Sequence, residues 1–368
     1  MASCSFRLTR KIKYVFTAAF TAFLTSHCVS SYEQIPSTYE SDTGLKFPES
    51  VIDLACLSNT FPSKFKLVAN ESQICSTRLF NNYKEIKQIN GLVYDHTDES
   101  FISNTYPSLG IKGLHVKVFE RNQYVFIVVR HQEHESILTD EMNEMMSLFG
   151  AAATVDRQRG NKEAFGVSVV ASMIRSVRQR LGLDYLPQAI AIFNQVQLHY
   201  KDRANVKYVF SGFSAGGLYA IVLGLYFNWP AITFSATGVE DIVSIYYSDL
   251  FVNQTKEGNI SSIYNFAHAL DPIPQLDCQL GVLCLYTPEN LDKNQQFTEK
   301  ELESLHISTI YGQSDPEIIQ WLGQLQQWTC SPANHYNVKY GSCKRERLRW
   351  EDRVKSNSVS KQPTENEL

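Results

Sequence analysis

The sequence predicts an α/β protein with a mostly parallel central sheet flanked by helices. Three observations carry that expectation. Apolar runs of strand length stand at 124–129, 206–210, 231–235 and 262–266. Helical patterns over 164–181, 188–200 and 218–227 separate the first three of them. A sharp turn follows 206–210 and loops follow 231–235 and 262–266, and alternation of this kind favours parallel strands joined by helical crossovers.

The chain has 368 residues, 43% of them hydrophobic and 20% charged, which is ordinary globular composition. Its exception is the beginning. Arg7, Arg10, Lys11 and Lys13 precede the apolar run Tyr14–Leu24, and no acid occurs before Glu33. That layout predicts a signal peptide over 1–30, cleaved near Cys28-Val29-Ser30, and with it a secreted or endomembrane-lumenal protein. The apolar run is shorter than the ~20 residues a membrane-crossing helix needs. Loss of the leader moves the formal charge from −4 to −8, and nothing in the charge pattern points to a nucleic acid partner.

Six cysteines then remain: Cys56, Cys75, Cys278, Cys284, Cys330 and Cys343. An even set in an oxidising compartment predicts disulfides. Of about fifteen possible pairings, sequence neighbours (Cys56–Cys75, Cys278–Cys284, Cys330–Cys343) make the simplest scheme. Glycosylation sequons stand at Asn70, Asn253 and Asn259. No cysteine or histidine spacing matches a zinc site.

Residues 31–90 read as a helical and loop cover, with a polar stretch to 50 and apolar clusters after it. The main domain is expected over 91–343. It opens with a hairpin, an alternating strand at 114–119 and a continuous apolar strand at 124–129, joined by the polar turn 120–123. A long Met-rich segment follows, including Leu138–Phe149. Next, Phe165, Val169, Val170, Met173, Ile174, Val177 and Leu181 recur at helical spacing, which predicts an amphipathic helix. The tail 344–368 is charged and predicted to be flexible.

Between the strand 206–210 and the apolar helix 218–227 stands Ser211-Gly-Phe-Ser-Ala-Gly-Gly217. Its core, Gly212-Phe213-Ser214-Ala215-Gly216, matches the G-x-S-x-G turn that thrusts a serine out of a strand into a helix. Glycines on either side let backbones approach without Cβ clashes. Ser214 is therefore the candidate nucleophile, and the Ala215 N–H, at the helix N-terminus, a candidate oxyanion donor. A serine hydroxyl needs a base and an orienting acid. Asp241 and Asp271 are the acidic candidates near strand ends, and Asp271, ahead of the stiff Pro272-Ile-Pro274, is preferred. Downstream of it lie His306 and His335. His335 is the preferred base because it sits between Cys330 and Cys343, where a local disulfide would hold the loop.

Taken together, Tyr208–Leu218, Ile232–Asp241, Asn265–Pro274 and His335-Tyr336 resemble the class 3, or fungal-type, triacylglycerol lipases of the α/β-hydrolase fold, over roughly residues 90–340. The resemblance implies Ser214 as nucleophile, Asp271 as acid and His335 as base. It implies a lid-like segment at Leu138–Phe149 and a second oxyanion donor at Gln132. Where the family carries Arg-Gly-Thr or Arg-Gly-Ser, this chain reads Arg130-His131-Gln132, and the elbow has Phe213 and Ala215 in place of the usual His and Leu.

The implied activity is hydrolysis of acyl-lipid esters with no organic cofactor or metal, at times in transient contact with a lipid interface. Two other readings share the same residues. One is a catalytically impaired relative that binds lipid or protein, motivated by the altered Arg130-His131-Gln132 stretch. The other is an esterase for non-lipid esters.

Overall fold

The computed structural model describes residues 39–47, 49–58, 60, 75, 79, 82–103, 113–130, 147–148, 150–151, 164–248, 262–268, 271, 273–275, 277–286 and 328–332. The leader 1–30, the three sequons, His306 and the tail 344–368 lie outside them. Within them the chain runs α1 (Tyr39–Thr43), α2 (Glu49–Ser58), β1 (Lys84–Glu85), β2 (Val93–Asp95), β3 (Ser100–Ile102), β4 (His115–Arg121) and β5 (Tyr124–Val129). It continues with α3 (Ala164–Arg180), α4 (Tyr185–His199), β6 (Lys207–Phe213), α5 (Ala215–Phe227), β7 (Ala231–Phe234) and α6 (Glu240–Tyr246). Last come β8 (Ile263–His268), a 3₁₀ turn (Ile273–Gln275), β9 (Val282–Tyr286) and β10 (Trp328–Pro332).

One sheet takes all ten of these strands, in the order β10-β9-β8-β7-β6-β5-β4-β3-β2, with β1 beside β4. The five from β5 to β9 are parallel and the outer ones antiparallel. The expected hairpin is β4–β5; it turns at Asn122, whose φ of 54° suits an asparagine. Its second strand is apolar throughout because both faces are covered. On one side β5 meets α4 and α5 through Val125, Ile127 and Val129. On the other, Phe126 and Val128 pack with Val51, Leu54 and Leu57 of α2. The mostly parallel sheet with flanking helices predicted by the sequence is thus the architecture present.

Several elements differ in detail. The 51–90 region is helical only in part, since Lys84–Glu85 pairs antiparallel with Phe119 and Glu120. The helix expected from 188 begins at Tyr185, because Asp184 caps it by accepting the Leu186 N–H, and Pro187 falls in the first turn, where no amide donor is required. The disulfide scheme is corrected. Cys56–Cys75 is present, but Cys284 bonds to Cys330, its partner across the β9–β10 ladder, and Cys278 is disulfide-bonded elsewhere. Neighbour pairing failed because strand register, not chain distance, brings those sulfurs together.

Helix α3 forms where expected but is turned over. Val170, Met173, Val177 and Leu181 are exposed, while Ser168, Ala171, Arg175 and Arg178 face inward. Its inner neighbours are aromatic and acidic. The Arg175 guanidinium lies 4.2 Å from the Tyr246 ring and 4.6 Å from the Tyr247 ring. It donates to Asp184 at 3.1 Å, and the Tyr247 hydroxyl donates to the same carboxylate at 2.7 Å. Arg178 lies over Tyr185 and donates to the Leu183 carbonyl. A guanidinium fits such a cage better than an aliphatic side chain, so the charged stripe turns inward. Asp184→Ala removes the partner of a buried cation and the cap of α4 together. Its expected cost is at least about 3 kcal/mol, read as a shift in the urea unfolding midpoint.

Candidate active site

The strand β6 runs through Phe213, and the chain reverses into α5 within the single residue Ser214. Ser214 holds φ 53° and ψ −121°, a strained conformation for a residue with a side chain. Its N–H donates to the Phe234 carbonyl at 2.9 Å and its carbonyl accepts the Leu218 N–H, so both sides of the turn are anchored.

The glycines explain how the turn fits. A Cβ at Gly216 would lie 2.3 Å from the Val129 carbonyl oxygen and 2.6 Å from that of Arg130. At Gly212 it would lie 2.5 Å from the Gly216 carbonyl carbon, and at Gly217 it would lie 2.6 Å from the Ala236 Cβ. Three segments therefore meet closely: the end of β5, the elbow, and the loop after β7. Ala215 is buried at the first position of α5, a helix with no charged residue in its first or last turn, and its backbone stands at the positive end of the helix dipole.

Asp271 lies three residues beyond the end of β8, which is parallel to β6 and two strands away. Ser214 and Asp271 therefore leave the sheet at the same edge. Asp271 is buried, and its Oδ1 accepts the Ile273 N–H at 2.9 Å, which fixes the carboxylate at the start of the 3₁₀ turn. Asp241, the competing acid, stands at the first turn of α6. Its backbone N–H, with that of Ile242, donates to the Asp277 carboxylate, so the two aspartates form a buried pair. His335 and Gln132 lie outside the described residues. So does most of the lid-like segment; Ser147 and Leu148 within it are helical and buried.

Sequence reasoning missed the residues that join the two loops. Asn265, inside β8, donates to the Ala236 carbonyl at 2.8 Å and to Gln279 Oε1 at 3.0 Å, and accepts the Ala236 N–H at 3.1 Å. Gln279 donates to the carbonyls of Ala236 and Pro274. The loop beyond β7, against which Gly217 rests, is thereby tied to the loop that carries Asp271. The signal was available: an asparagine inside the apolar run Ile263-Tyr-Asn-Phe266 must find partners or forfeit its hydration.

Asp95, Asp98 and His115 each place one ligand atom within 4.8 Å of the others, the one such group among the described residues. Asp98 already pairs with Arg130 at 3.3 Å, and Ser100 hydrogen-bonds His115 Nδ1 at 2.7 Å. The group serves as an ion-paired brace for β3, β4 and the end of β5, since a cation inside it would face the Arg130 charge.

No family model matches the chain, and no curated protein matches it. Among solved structures it is similar to fungal lipases. Rhizomucor miehei lipase in complex with its propeptide is 12% identical, with 80% of this chain and 86% of that one covered and a TM-score of 0.36. The mono- and diacylglycerol lipase of Aspergillus oryzae is 12% identical over 74% and 98%, TM-score 0.34. Lipase II of Rhizopus niveus is 12% identical over 64% and 79%, TM-score 0.31. Likeness at this level carries no conclusion about activity, which has to come from the site itself.

Two outcomes follow from the geometry. Gly216→Ala drives a methyl into two carbonyl oxygens, and either the elbow or β5 must move. The expected loss is about 1–3 kcal/mol of stability, measured by urea unfolding. The second concerns Asp277, whose carboxyl is held well above the usual carboxylate range, first by desolvation and then by the Asp241 charge, against the opposing backbone N–H bonds. A raised folded-state value means the folded protein holds a proton that the unfolded chain releases. Stability from this pair is therefore full below the ordinary carboxylate value and declines as pH rises toward the raised one. Asp241→Asn removes the like charge and is expected to flatten that decline in a pH series of unfolding midpoints.

Proposed function

We propose that the chain is a serine carboxylic-ester hydrolase acting on acyl lipids, secreted or lumenal, with Ser214, Asp271 and His335 as its triad. The observation that carries the reading is Ser214 itself. A lone serine is held at positive φ between a buried parallel strand and the N-terminus of an apolar helix, with glycines at every point of backbone contact. A strained side-chain-bearing residue persists only where the surroundings enforce it, and such positions cluster at active sites. The buried Asp271 at the same sheet edge supplies the carboxylate that the chemistry requires. The disulfides fit an oxidising compartment.

In this mechanism Ser214 Oγ attacks the ester carbonyl carbon while His335 takes its proton. Asp271 holds the imidazolium. The carbonyl oxygen, now negative, is met by the Ala215 and Gln132 N–H groups. The tetrahedral adduct collapses, the C–O bond to the alcohol breaks, and His335 returns the proton to the departing oxygen. Water then repeats the sequence on the acyl-enzyme and releases the acid and free Ser214. None of these steps needs a metal or organic cofactor.

The test is ester turnover by wild type and by Ser214→Ala, with soluble short-chain and emulsified long-chain substrates side by side. Wild-type turnover that falls by about 10⁶-fold in Ser214→Ala, together with covalent labelling of Ser214 by an organophosphonate, is the expected result. Turnover unaffected by Ser214→Ala, with no labelling of the folded protein, would remove the mechanism. Activity on soluble esters alone would reassign the substrate to the non-lipid class.

A further inference from the structure

We propose that the outer face of α3 is a docking surface for a zwitterionic acyl-lipid surface. It presents Val170, Met173 and Val177 and, one residue past its end and still bonded back to the Val177 carbonyl, Leu181, which are 52%, 65%, 56% and 50% exposed at spacings of three, four and four residues. They form one stripe about 16 Å long on one side of the helix.

The stripe cannot be hidden by rolling the helix. Rotation would withdraw Arg175 from Asp184, Tyr246 and Tyr247, and Arg178 from Tyr185 and the Leu183 carbonyl. The cage that holds the guanidinia inward also holds the aliphatic side chains outward.

The surroundings of the stripe choose its occupant. From Ala164 to Leu183 the sequence contains three arginines and no acid, in a chain whose acids outnumber its bases by 38 to 34. The outward polar positions are Ser172, Ser176, Gln179 and Arg180. Ser172 returns its hydroxyl to the Ser168 carbonyl at 2.7 Å, so it asks little of the solvent. The face is thus apolar along its middle, neutral along its flanks and cationic at one end. Among the described residues of this face there is no carboxylate to repel lipid phosphates, and there is one guanidinium to meet them. That is the composition of a helix lying in a membrane interface, with aliphatic groups among the acyl chains and the arginine at headgroup depth.

A second copy of the chain fits less well. A strip about 16 Å by 10 Å falls far short of the ~800 Å² per partner of a stable dimer. A lipid surface has no such minimum, because each aliphatic group partitions on its own. Among the described residues no helix is long and apolar enough to cross a membrane, so the contact proposed is with its surface.

The experiment is co-sedimentation of the full chain, carrying Ser214→Ala to spare the lipid, with phosphatidylcholine vesicles. Met173→Ser/Val177→Ser is compared with Met173→Leu/Val177→Leu. The serine pair is expected to weaken vesicle binding by about tenfold or more, and the leucine pair to preserve it. The thermal midpoint, and soluble-ester turnover in the Ser214 parent, should be unchanged by either pair. Three results would overturn the proposal: no binding of the parent, equal binding of the serine pair, or a parent dimer that the serine pair dissolves. The measurement needs no ester hydrolysis, so its failure and that of the hydrolase reading are separately visible.

Discussion

Gly216 approaches the carbonyl oxygens of Val129 and Arg130 more closely than any side chain would permit, and much of the site depends on that contact. With no Cβ there, the first turn of α5 sits against the end of β5, so the segment after β5 and the N-terminus of the elbow helix become neighbours. Gly212 and Gly217 extend the same rule to the strand behind and the loop beside. Ser214 takes what conformation remains. Its positive φ follows from a strand that must reverse into a helix in one residue, while its own N–H is bonded to Phe234. The cost of that conformation, of order 1–3 kcal/mol, is small against the packing of the wholly apolar α5 between sheet and solvent-side helix.

The acid side of the site is built differently, from polar groups buried and satisfied rather than from absent side chains. Asn265, Gln279 and Asp277 join the loops after β7 and β8 by bonds to backbone atoms of Ala236, Pro274, Asp241 and Ile242. Each such group would cost about 1–3 kcal/mol if left without partners, so the network holds one geometry or fails as a whole. Asp271 inherits its place from this frame. The elbow is rigid by close contact and the acid loop by hydrogen bonding, and the two are joined at Ala236, which touches Gly217 on one side and Asn265 on the other.

How much of this was legible in the sequence depends on what kind of force placed each element. Strands covered on both faces announce themselves: 124–129 appears with the bounds the apolar run gives, and the run 231–235 overshoots its strand, Ala231–Phe234, by one residue. The elbow was legible because steric necessity restricts its residues to glycine and small side chains. The amphipathic helix was legible in position and not in orientation. Periodicity marks two stripes on α3 and assumes the apolar one goes inside, an assumption that fails where the inner wall offers Asp184, Tyr246 and Tyr247. The pairing of Cys284 with Cys330 was illegible for a related reason. It depends on β10 lying beside β9 in a particular register, a long-range fact that no local spacing encodes.

Of the Arg130-His131-Gln132 stretch the structure describes Arg130, and it is firmly held. Losing one oxyanion donor can cost ~2.7–4 kcal/mol, so the question is whether a main-chain N–H after β5 is still aimed at the nucleophile. Aim is a property of backbone placement, and Arg130 fixes the backbone three times. Its N–H donates to the His115 carbonyl at 3.0 Å, its guanidinium pairs with Asp98, and its carbonyl lies against Gly216. The arginine anchors the strand end from which the following segment starts. His115 stands 3.6 Å from the same Asp98 carboxylate. In the proposed mechanism the oxyanion donor beyond β5 starts from this braced strand end. From the opposite side, Gly216 lets the first turn of α5 come against the same strand end.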